Sequence, residues 1–287
     1  MILGFPDYIA PAQRLAKQLG RSFVSIDVHN FPDGESRVKI PTSLPKEIIF
    51  CRSLNQPNSK LIELILACEA ARQHGAQHIT LVAPYLCYMR QDIEFHPGEA
   101  VSARTIGSML AQYIDRIVTV DPHLHRITTL AEAVPARSAL ALSAAPLLAE
   151  FIADQFDDPL LIGPDAESVQ WVRELAIPRD WQFGVAQKLR IGDAAVEIQL
   201  PDIDMTKRHV VMIDDMISTG HTIAQAARAI QQRGAASIAC IVTHGLFVGD
   251  ALAKLYAAGL KKVWSTDSVP HETNAVDLAP LMANALR

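Results

Sequence analysis

The chain has 287 residues, of which 49% are hydrophobic and 20% charged, and its formal net charge is −5. This composition is typical of a globular protein and excludes a disordered chain. The negative charge argues against a general nucleic-acid binder, which would carry a basic surface. No apolar run approaches the ~18 residues that a membrane span needs, so we expect no membrane partner.

Short apolar runs rich in β-branched residues alternate with helical patterns along the whole chain. The predicted strands are 23–28, 47–51, 78–83, 116–120, 160–163, 209–213, 237–243 and 262–265. The predicted helices lie near 9–20, 58–74, 99–113, 142–156, 167–177, 222–233, 248–258 and 275–286. Alternation of this kind predicts an α/β protein with mostly parallel sheets.

The length of the chain and the positions of its helix-ending glycines indicate two domains. At about 150 residues per domain, the chain holds two, each long enough to bury its own core. Gly75 and Gly234 each follow a helical pattern and precede a strand, so both halves show the same helix stop. The boundary is expected between Thr128 and Leu148, where an alanine-rich stretch contains Pro135. We therefore predict an N-terminal domain over 1–140 and a C-terminal domain over 141–287.

The cysteines and the first residues indicate a reducing compartment. Cys51, Cys68, Cys87 and Cys240 form no Cys-x-x-Cys pair, and three of them lie in apolar runs. We therefore expect buried free thiols and no disulfide framework, which fits the cytoplasm. Residues 1–6 contain no basic stretch leading into a long apolar one, so no signal peptide is expected.

The most informative segment is an apolar strand that ends in two carboxylates. After 209–213 come Asp214 and Asp215, then a turn of hydroxyls and glycine over 218–220, then the start of a helix. Ligands of open α/β sheets bind outside the carboxyl ends of the strands, and helix N-termini favour anions. Carboxylates accept hydrogen bonds from sugar hydroxyls, so a sugar phosphate would satisfy both ends of the segment. The alternative is an acidic turn with a helix-capping hydroxyl.

Three further places carry side chains suited to a nucleotide or a metal. Arg90 offers a planar fork of donors for phosphate oxygens. The segment 31–35 holds an aromatic ring for stacking on a purine and two acids for amine or hydroxyl groups, although Pro-Asp-Gly is also a common turn. His123 and His125 would share a face of an extended chain and could bind a transition metal, although a surface role for His125 is the simpler interpretation.

The 213–222 segment resembles the phosphoribosyl-binding motif of type I phosphoribosyltransferases and their pyrophosphokinase relatives. Several other segments, in the same order along the chain, resemble those of ribose-phosphate pyrophosphokinases specifically. They are Phe31–Glu35, Pro84–Asp92, Val120–His123, Gly163–Asp165 and Thr243–Phe247. The Arg90–Asp92 and Asp214–Asp215 segments are the specific ones, and the shared order supports the rest.

The resemblance implies two similar type I phosphoribosyltransferase-like domains, each a mostly parallel sheet flanked by helices. The first would bind ATP and the second ribose 5-phosphate, and relatives suggest that the last helix returns to the first domain. The implied site residues are Phe31, Asp33, Gly34, Glu35, Arg90, Gln91 and Asp92 for ATP; His123 and Asp165 for Mg²⁺; Lys188 and Arg190 for catalysis; and Arg190, Asp214, Asp215, Ser218, Thr219, Gly220, His221 and Thr222 for ribose 5-phosphate.

The implied activity moves the β,γ-diphosphate of ATP to O1 of ribose 5-phosphate, with Mg²⁺ as cofactor and a homo-oligomer as the assembly. One alternative is a phosphoribosyltransferase, which would not need Arg90–Asp92 or a second similar domain. The other is a non-catalytic regulatory relative, which would be expected to lose Lys188, Arg190, His123 or Asp165.

The chain departs from the family pattern at a few positions. Glu167 and Ser168 stand where the family has a Gly-rich turn, so a carboxylate could join or crowd the site. Ser218 replaces an acid and His221 a small residue, and both keep hydrogen-bonding capacity. Residues 93–96 replace lysines found in many relatives, which argues against the regulatory phosphate or ADP sites of part of the family.

Overall fold

The computed structural model describes residues 1–124, 126–191 and 195–287, and it describes only the backbone of 188–191 and 195–197. Contacts divide the chain into two compact units, Met1–Ser143 with Asp277–Arg287, and Ala144–Val276. Within these ranges, every helix is too short or too polar to cross a lipid bilayer.

The first unit is built on a six-stranded parallel sheet. Its strands are β1 (Ile2–Gly4), β2 (Phe23–Ser25), β5 (Glu47–Cys51), β6 (His78–Val82), β7 (Arg116–Val120) and β8 (Ser138–Leu142), in the order β2-β1-β5-β6-β7-β8. A separate antiparallel hairpin joins β3 (Asp27–Asn30) to β4 (Ser36–Lys39). The helices are α1 (Ile9–Leu19), α2 (Pro57–Gln73), α3 (Ser102–Ala111), α4 (Leu130–Ala133) and α9 (Ala279–Leu286).

The C-terminal helix α9 lies in this first unit, where it packs against α1. The Arg116 guanidinium at the start of β7 donates to the Ala285 carbonyl over 2.7 Å. Arg14 forms an ion pair with Asp277 at 3.2 Å. The final residues of the chain are therefore tied to the first unit by packing and by charge.

The second unit repeats the plan of the first. Its sheet strands are β9 (Leu160–Gly163), β10 (Phe183–Val185), β13 (His209–Ile217), β14 (Ser237–Gly245), β15 (Lys262–Thr266) and β16 (Asn274–Val276), in the order β10-β9-β13-β14-β15-β16, all parallel. A second hairpin joins β11 (Gln187–Ile191) to β12 (Ala195–Gln199). The helices are α5 (Ala145–Gln155), α6 (Val169–Ala176), α7 (His221–Gln232) and α8 (Ala251–Ala257).

The two sheets have the same strand order, and each unit inserts its hairpin between its second and third sheet strands. The predicted α/β class and its mostly parallel sheets are thereby confirmed. The central strands are buried on both faces, as β5 and β13 illustrate, which is why they read as continuous apolar runs. Gly75 and Gly234, with φ of 95° and 79°, follow α2 and α7 in the left-handed conformation that glycine adopts easily.

The predicted elements differ from the observed ones mainly at short or exposed strands. The predicted strand 23–28 is divided into β2 and β3 by the buried Ile26, whose N–H donates to the Gly4 carbonyl. The strands β1, β8, β10 and β16 and three of the four hairpin strands were not predicted. All of these strands have three to five residues, so their hydrophobic period is too short to be distinctive.

Candidate active site

Three polar segments of the first unit follow the carboxyl ends of neighbouring parallel strands. Arg52 follows β5, the segment 84–92 follows β6, and the segment 121–124 follows β7. A backbone bond ties the second segment to the last residue of β7, since the Pro84 carbonyl accepts from the Val120 N–H over 3.1 Å. The sheet therefore gathers these segments on the edge where ligands of open α/β sheets bind.

The Phe31–Glu35 loop connects β3 to β4 as a closed turn. The Phe31 N–H donates to the Glu35 carbonyl over 2.8 Å, and the Asp33 carboxylate accepts the Glu35 N–H over 3.1 Å. The Phe31 ring is 41% exposed and packs edge-to-face on His29, with ring centroids 4.7 Å apart. The loop therefore holds an aromatic face toward solvent, and its glycine, Gly34, has φ of 94°.

A network of charged side chains contacts the strand that follows this loop. The Ser36 hydroxyl, at the start of β4, lies 3.2 Å from the Glu63 carboxylate on α2. Glu63 accepts from the Arg52 guanidinium over 2.6 Å, and Arg52 also donates to Asp7 over 3.0 Å. Lys60 completes the network with an ion pair to Asp7 at 2.6 Å. The hairpin is thus linked to a fixed cluster of charges.

The Arg90–Asp92 segment contains one exposed, one half-buried and one buried side chain. Arg90 is exposed, while the Gln91 amide donates to the Glu99 carboxylate over 2.9 Å. Asp92 is buried and accepts two bonds from Arg126, one from its guanidinium and one from its backbone N–H, both 3.0 Å long. Sequence reasoning missed Arg126, because nothing in the chain marks a partner 34 positions away.

His123 lies in the turn that follows β7. His123 is half-buried, and Asp121, two residues earlier, is buried with φ of 38°. The Asp121 N–H donates to the Leu142 carbonyl over 2.8 Å. A positive φ at a residue other than glycine marks a backbone held by its surroundings. His125 lies outside the described residues, so its role stays open.

Three carboxylates of the second unit lie on or after the adjacent strands β9 and β13, since Asp214 and Asp215 belong to β13 and Asp165 follows β9. Burial and the neighbouring charges of Asp215 and Asp165 raise the pKa of Asp214 well above its ordinary value. The Asp215 N–H donates to the Asp214 carboxylate over 3.0 Å, which partly offsets this rise. The protein therefore builds a site where negative charge is concentrated and a cation or hydroxyl donors would be favoured.

Asp165 is fixed by the turn that follows β9 and contains Glu167 and Ser168. Its carboxylate accepts the Glu167 N–H over 3.1 Å, and its carbonyl accepts the Ser168 hydroxyl over 2.5 Å. A Cβ on Gly163 would lie 2.2 Å from the Ser168 hydroxyl oxygen, so glycine is needed for this serine to close the turn. Glu167 contributes through its backbone, and its side chain is exposed.

The hydroxyl turn 218–220 leads from β13 directly into α7. Gly220 has φ of 73°, and His221 is the first residue of the helix. Among the described residues, the hydroxyls of Ser218, Thr219 and Thr222 have no hydrogen-bond partner within the protein. The first N–H groups of a helix also lack intrahelical acceptors, so this turn is suited to an anion such as phosphate.

The loop after β14 holds this turn in place. The Leu246 and Phe247 N–H groups donate to the Ile217 carbonyl over 2.9 and 3.1 Å, and the Val248 N–H donates to the Ser218 carbonyl over 2.9 Å. The end of β14 is fixed in turn by two hydroxyls, from Thr266 and Ser268, that donate to the Thr243 carbonyl over 2.6 and 2.7 Å.

The same hydrogen bonds determine a histidine tautomer. The Ser268 proton is used on the Thr243 carbonyl, so the serine oxygen accepts from Nδ1 of the buried His244 over 2.9 Å. The Nδ1–H form of His244 is thereby favoured.

Lys188 and Arg190 lie on β11, opposite Ile198 and Val196 of β12. Their side chains lie outside the description, so their catalytic assignment stays a prediction. The same holds for the other assigned site residues, because positions alone do not test what they bind.

The oxygen and nitrogen donors of the candidate site differ in how well they suit magnesium. No group of three or more His, Cys, Asp or Glu side chains in the described ranges forms a ready-made metal site. Magnesium usually keeps several waters and takes only one or two protein carboxylates beside substrate phosphates. Asp165, Asp214 and Asp215 fit that requirement by their oxygen chemistry, whereas an imidazole such as His123 is a weaker match.

Comparisons with known proteins agree along the whole chain. Residues 3–113 match the family model described as the N-terminal domain of ribose phosphate pyrophosphokinase, and residues 197–287 match the phosphoribosyl synthetase-associated domain. A ribose-phosphate pyrophosphokinase of Methanopyrus kandleri is 34% identical over 290 residues, covering 100% of this chain and 98% of its own. One from Methanothermobacter thermautotrophicus is 33% identical, with 100% of both chains covered.

A solved structure shows the same fold. The phosphoribosylpyrophosphate synthetase from Mycobacterium smegmatis superposes with a TM-score of 0.87 at 24% identity, covering 100% of this chain and 97% of that chain. The resemblance that the sequence motifs indicated is confirmed, and the chain belongs to the ribose-phosphate pyrophosphokinase family, the ATP-dependent transferases that its segments predicted.

Proposed function

We propose that this family member transfers the β,γ-diphosphate of ATP to O1 of ribose 5-phosphate through the residues assigned above. In the reaction, O1 attacks the β-phosphorus, the bond between that phosphorus and the α,β-bridging oxygen breaks, and AMP leaves. The hydroxyl at O1 loses its proton to solvent as the new O1–P bond forms. No protein nucleophile is required, so the residues act by positioning both substrates and offsetting charge.

The site of the second unit carries this proposal. Ser218, Thr219, Gly220, His221 and Thr222 would hold the 5-phosphate through hydroxyls and helix N–H groups. Asp214 and Asp215 would accept hydrogen bonds from the ribose hydroxyls and so orient O1. The observation that supports this assignment is that β13 carries both acids and leads directly into the turn before α7, whose hydroxyls have no partner among the described residues.

In the first unit, Phe31, Asp33, Gly34 and Glu35 would bind the adenosine part of ATP, with the exposed Phe31 ring stacking on the base. Arg90 and Gln91 would bind its phosphates and ribose, and Asp92 belongs to the same segment. Lys188 and Arg190 would offset negative charge on the transferred and leaving groups, and Arg190 would also contact the sugar phosphate.

Magnesium is the proposed cofactor, with Asp165 and His123 nearby. When bound, it supplies positive charge to the diphosphate. The raised pKa of Asp214 supports a cation here, because a nearby positive charge would offset the repulsion among Asp165, Asp214 and Asp215.

The deciding experiment follows AMP and the 1-diphosphate product together after mixing the protein with ATP, magnesium and ribose 5-phosphate. Equal amounts of both should form with the wild type, and a Lys188→Ala/Arg190→Ala variant should lose ~10³-fold or more of the rate. The matched control is Lys261→Ala/Lys262→Ala, which removes two exposed lysines at the amino end of β15 and should keep full activity. Sugar-phosphate binding without AMP formation would instead identify a transferase or a regulatory relative.

We also propose a cytoplasmic homo-oligomer with no nucleic-acid partner. All four cysteines are free and buried, which is consistent with a reducing compartment. Ile62 and Leu66 on α2 are exposed apolar side chains on one helix face, consistent with a covered surface in an assembly. Light scattering of the purified protein measures its mass, and a monomer at micromolar concentration would contradict the assembly.

A further inference from the structure

Asp92 uses its carboxylate within the protein. Its side chain is 2% exposed, one oxygen accepts the Arg126 guanidinium, and the other accepts the Arg126 backbone N–H, each over 3.0 Å. Charge-assisted bonds to a buried carboxylate are strong, and breaking them would leave a buried charge uncompensated. The carboxylate is therefore occupied before any nucleotide arrives.

Arg126 is held from two sides. Its guanidinium carbon lies 5.2 Å from the centre of the Phe95 ring, while its side chain remains 47% exposed. Asp92 and Phe95 both belong to the segment after β6, whereas Arg126 follows β7. The contacts thus join the segment that carries Arg90 and Gln91 to the segment that carries His123, three residues before Arg126.

We propose that Asp92 and Arg126 act as a positioning pair that holds the His123 turn beside the Arg90–Gln91 segment. Asp92 would then act through Arg126 and not by contact with ATP. This inference rests on the proposed function and narrows it, because it separates the role of Asp92 from the ATP binding proposed for Arg90 and Gln91. Loss of the pair should weaken the binding of the metal–nucleotide complex and leave the binding of the sugar phosphate unchanged.

A double-mutant cycle tests the pair. Asp92→Asn keeps the shape and removes the charge, Arg126→Ala removes the guanidinium, and the double variant removes both. Each single variant should weaken Mn²⁺ binding in the presence of α,β-methylene ATP by ~10- to 100-fold, the usual effect of losing a partner behind a metal site. The KM for ribose 5-phosphate should stay unchanged, and the double variant should be no worse than Asp92→Asn alone.

The matched control is Arg72→Ala, which breaks another Arg–Asp pair of the same unit. Arg72 bonds Asp115 over 2.7 Å just before β7 begins, at the opposite end of the sheet. This variant should leave Mn²⁺ binding as in the wild type. Free Mn²⁺ is measured by electron paramagnetic resonance, which does not depend on turnover.

The outcomes separate the alternatives. Two outcomes would overturn the pair, because each would show that Asp92 contacts ATP. In the first, Asp92→Asn raises the KM for ATP while Arg126→Ala changes nothing. In the second, the effects of the two single variants add in the double variant. Hydrogen exchange of residues 120–128 gives a test that holds even if wild type forms no AMP and the proposed function fails. Both single variants should speed exchange there at least 10-fold, and unchanged exchange would refute the positioning role.

Discussion

Replacing Glu63 by alanine should destabilise the first unit strongly. The Glu63 and Arg52 side chains are only 3% and 6% exposed, and they form a 2.6 Å charged hydrogen bond. After the change, Arg52 and Lys60 would share the single negative charge of Asp7. Removing one partner of a buried pair costs about 3–5 kcal/mol, because the remaining charge is left without compensation.

The free energy of unfolding of a domain is about 5–15 kcal/mol, so this loss would be a large share of it. Urea titration followed by circular dichroism measures the loss directly, and thermal melting should show Tm lower by ~6–20 °C. Glu63→Gln, which keeps an acceptor, should lose only about 1–3 kcal/mol. Glu63→Ala would also remove the Ser36 contact to Glu63, so the Phe31–Glu35 loop of this variant should bind nucleotide less well.

The control is Asp27→Ala, which breaks the Arg37–Asp27 pair, where both side chains are 57% exposed. An exposed pair contributes at most about 1 kcal/mol. Should Glu63→Ala destabilise no more than this control, the buried network would not be the support that its geometry implies.

Two further predictions concern buried titratable groups. Because the fold raises the pKa of Asp214, the native state binds its proton more tightly than the unfolded chain, so stability should fall as pH rises from the ordinary carboxyl pKa to the raised one. Asp214→Asn should therefore be more stable than wild type at neutral pH, by about 1.4 kcal/mol per unit of raised pKa, and urea titrations across pH would show no gain if the reasoning is wrong. Burial also raises the pKa of Cys68 and Cys87 to about 12, so only ~10⁻⁴ of either thiol is ionised at pH 8 and native protein should resist iodoacetamide until urea unfolds it. Rapid labelling of either thiol in the native state would contradict this expectation.

The elements that could be predicted from the sequence are those whose burial leaves a pattern. The strands β5 and β13 are buried on both faces and appear as apolar runs of β-branched residues. The hairpin strand β4 has no fully buried residue, so its sequence carries little hydrophobic signal. The strand β8 lies at the sheet edge and is rich in alanine, which has a low preference for strands.

The candidate site likewise has a part that could be predicted from the sequence and a part that could not. The acids and hydroxyls around Asp214 are adjacent in the chain, so their shared chemistry could be predicted from one segment. The Asp92–Arg126 pair joins segments of two neighbouring strands, and only the parallel register of β6 and β7 brings them together. The function of Ser168 likewise depends on the absence of a Cβ at Gly163, a relation that a single sequence does not reveal.

The common strand order of the two units makes their hairpins directly comparable. A two-stranded hairpin stands at the same point of each unit, so β3–β4 and β11–β12 are counterparts by position. One hairpin encloses a loop with an aromatic ring and two acids, and the other carries Lys188 and Arg190. One position in the common strand plan thus carries two different sets of side chains, so the likeness of the two units lies in their backbones and the difference between them lies in these hairpins.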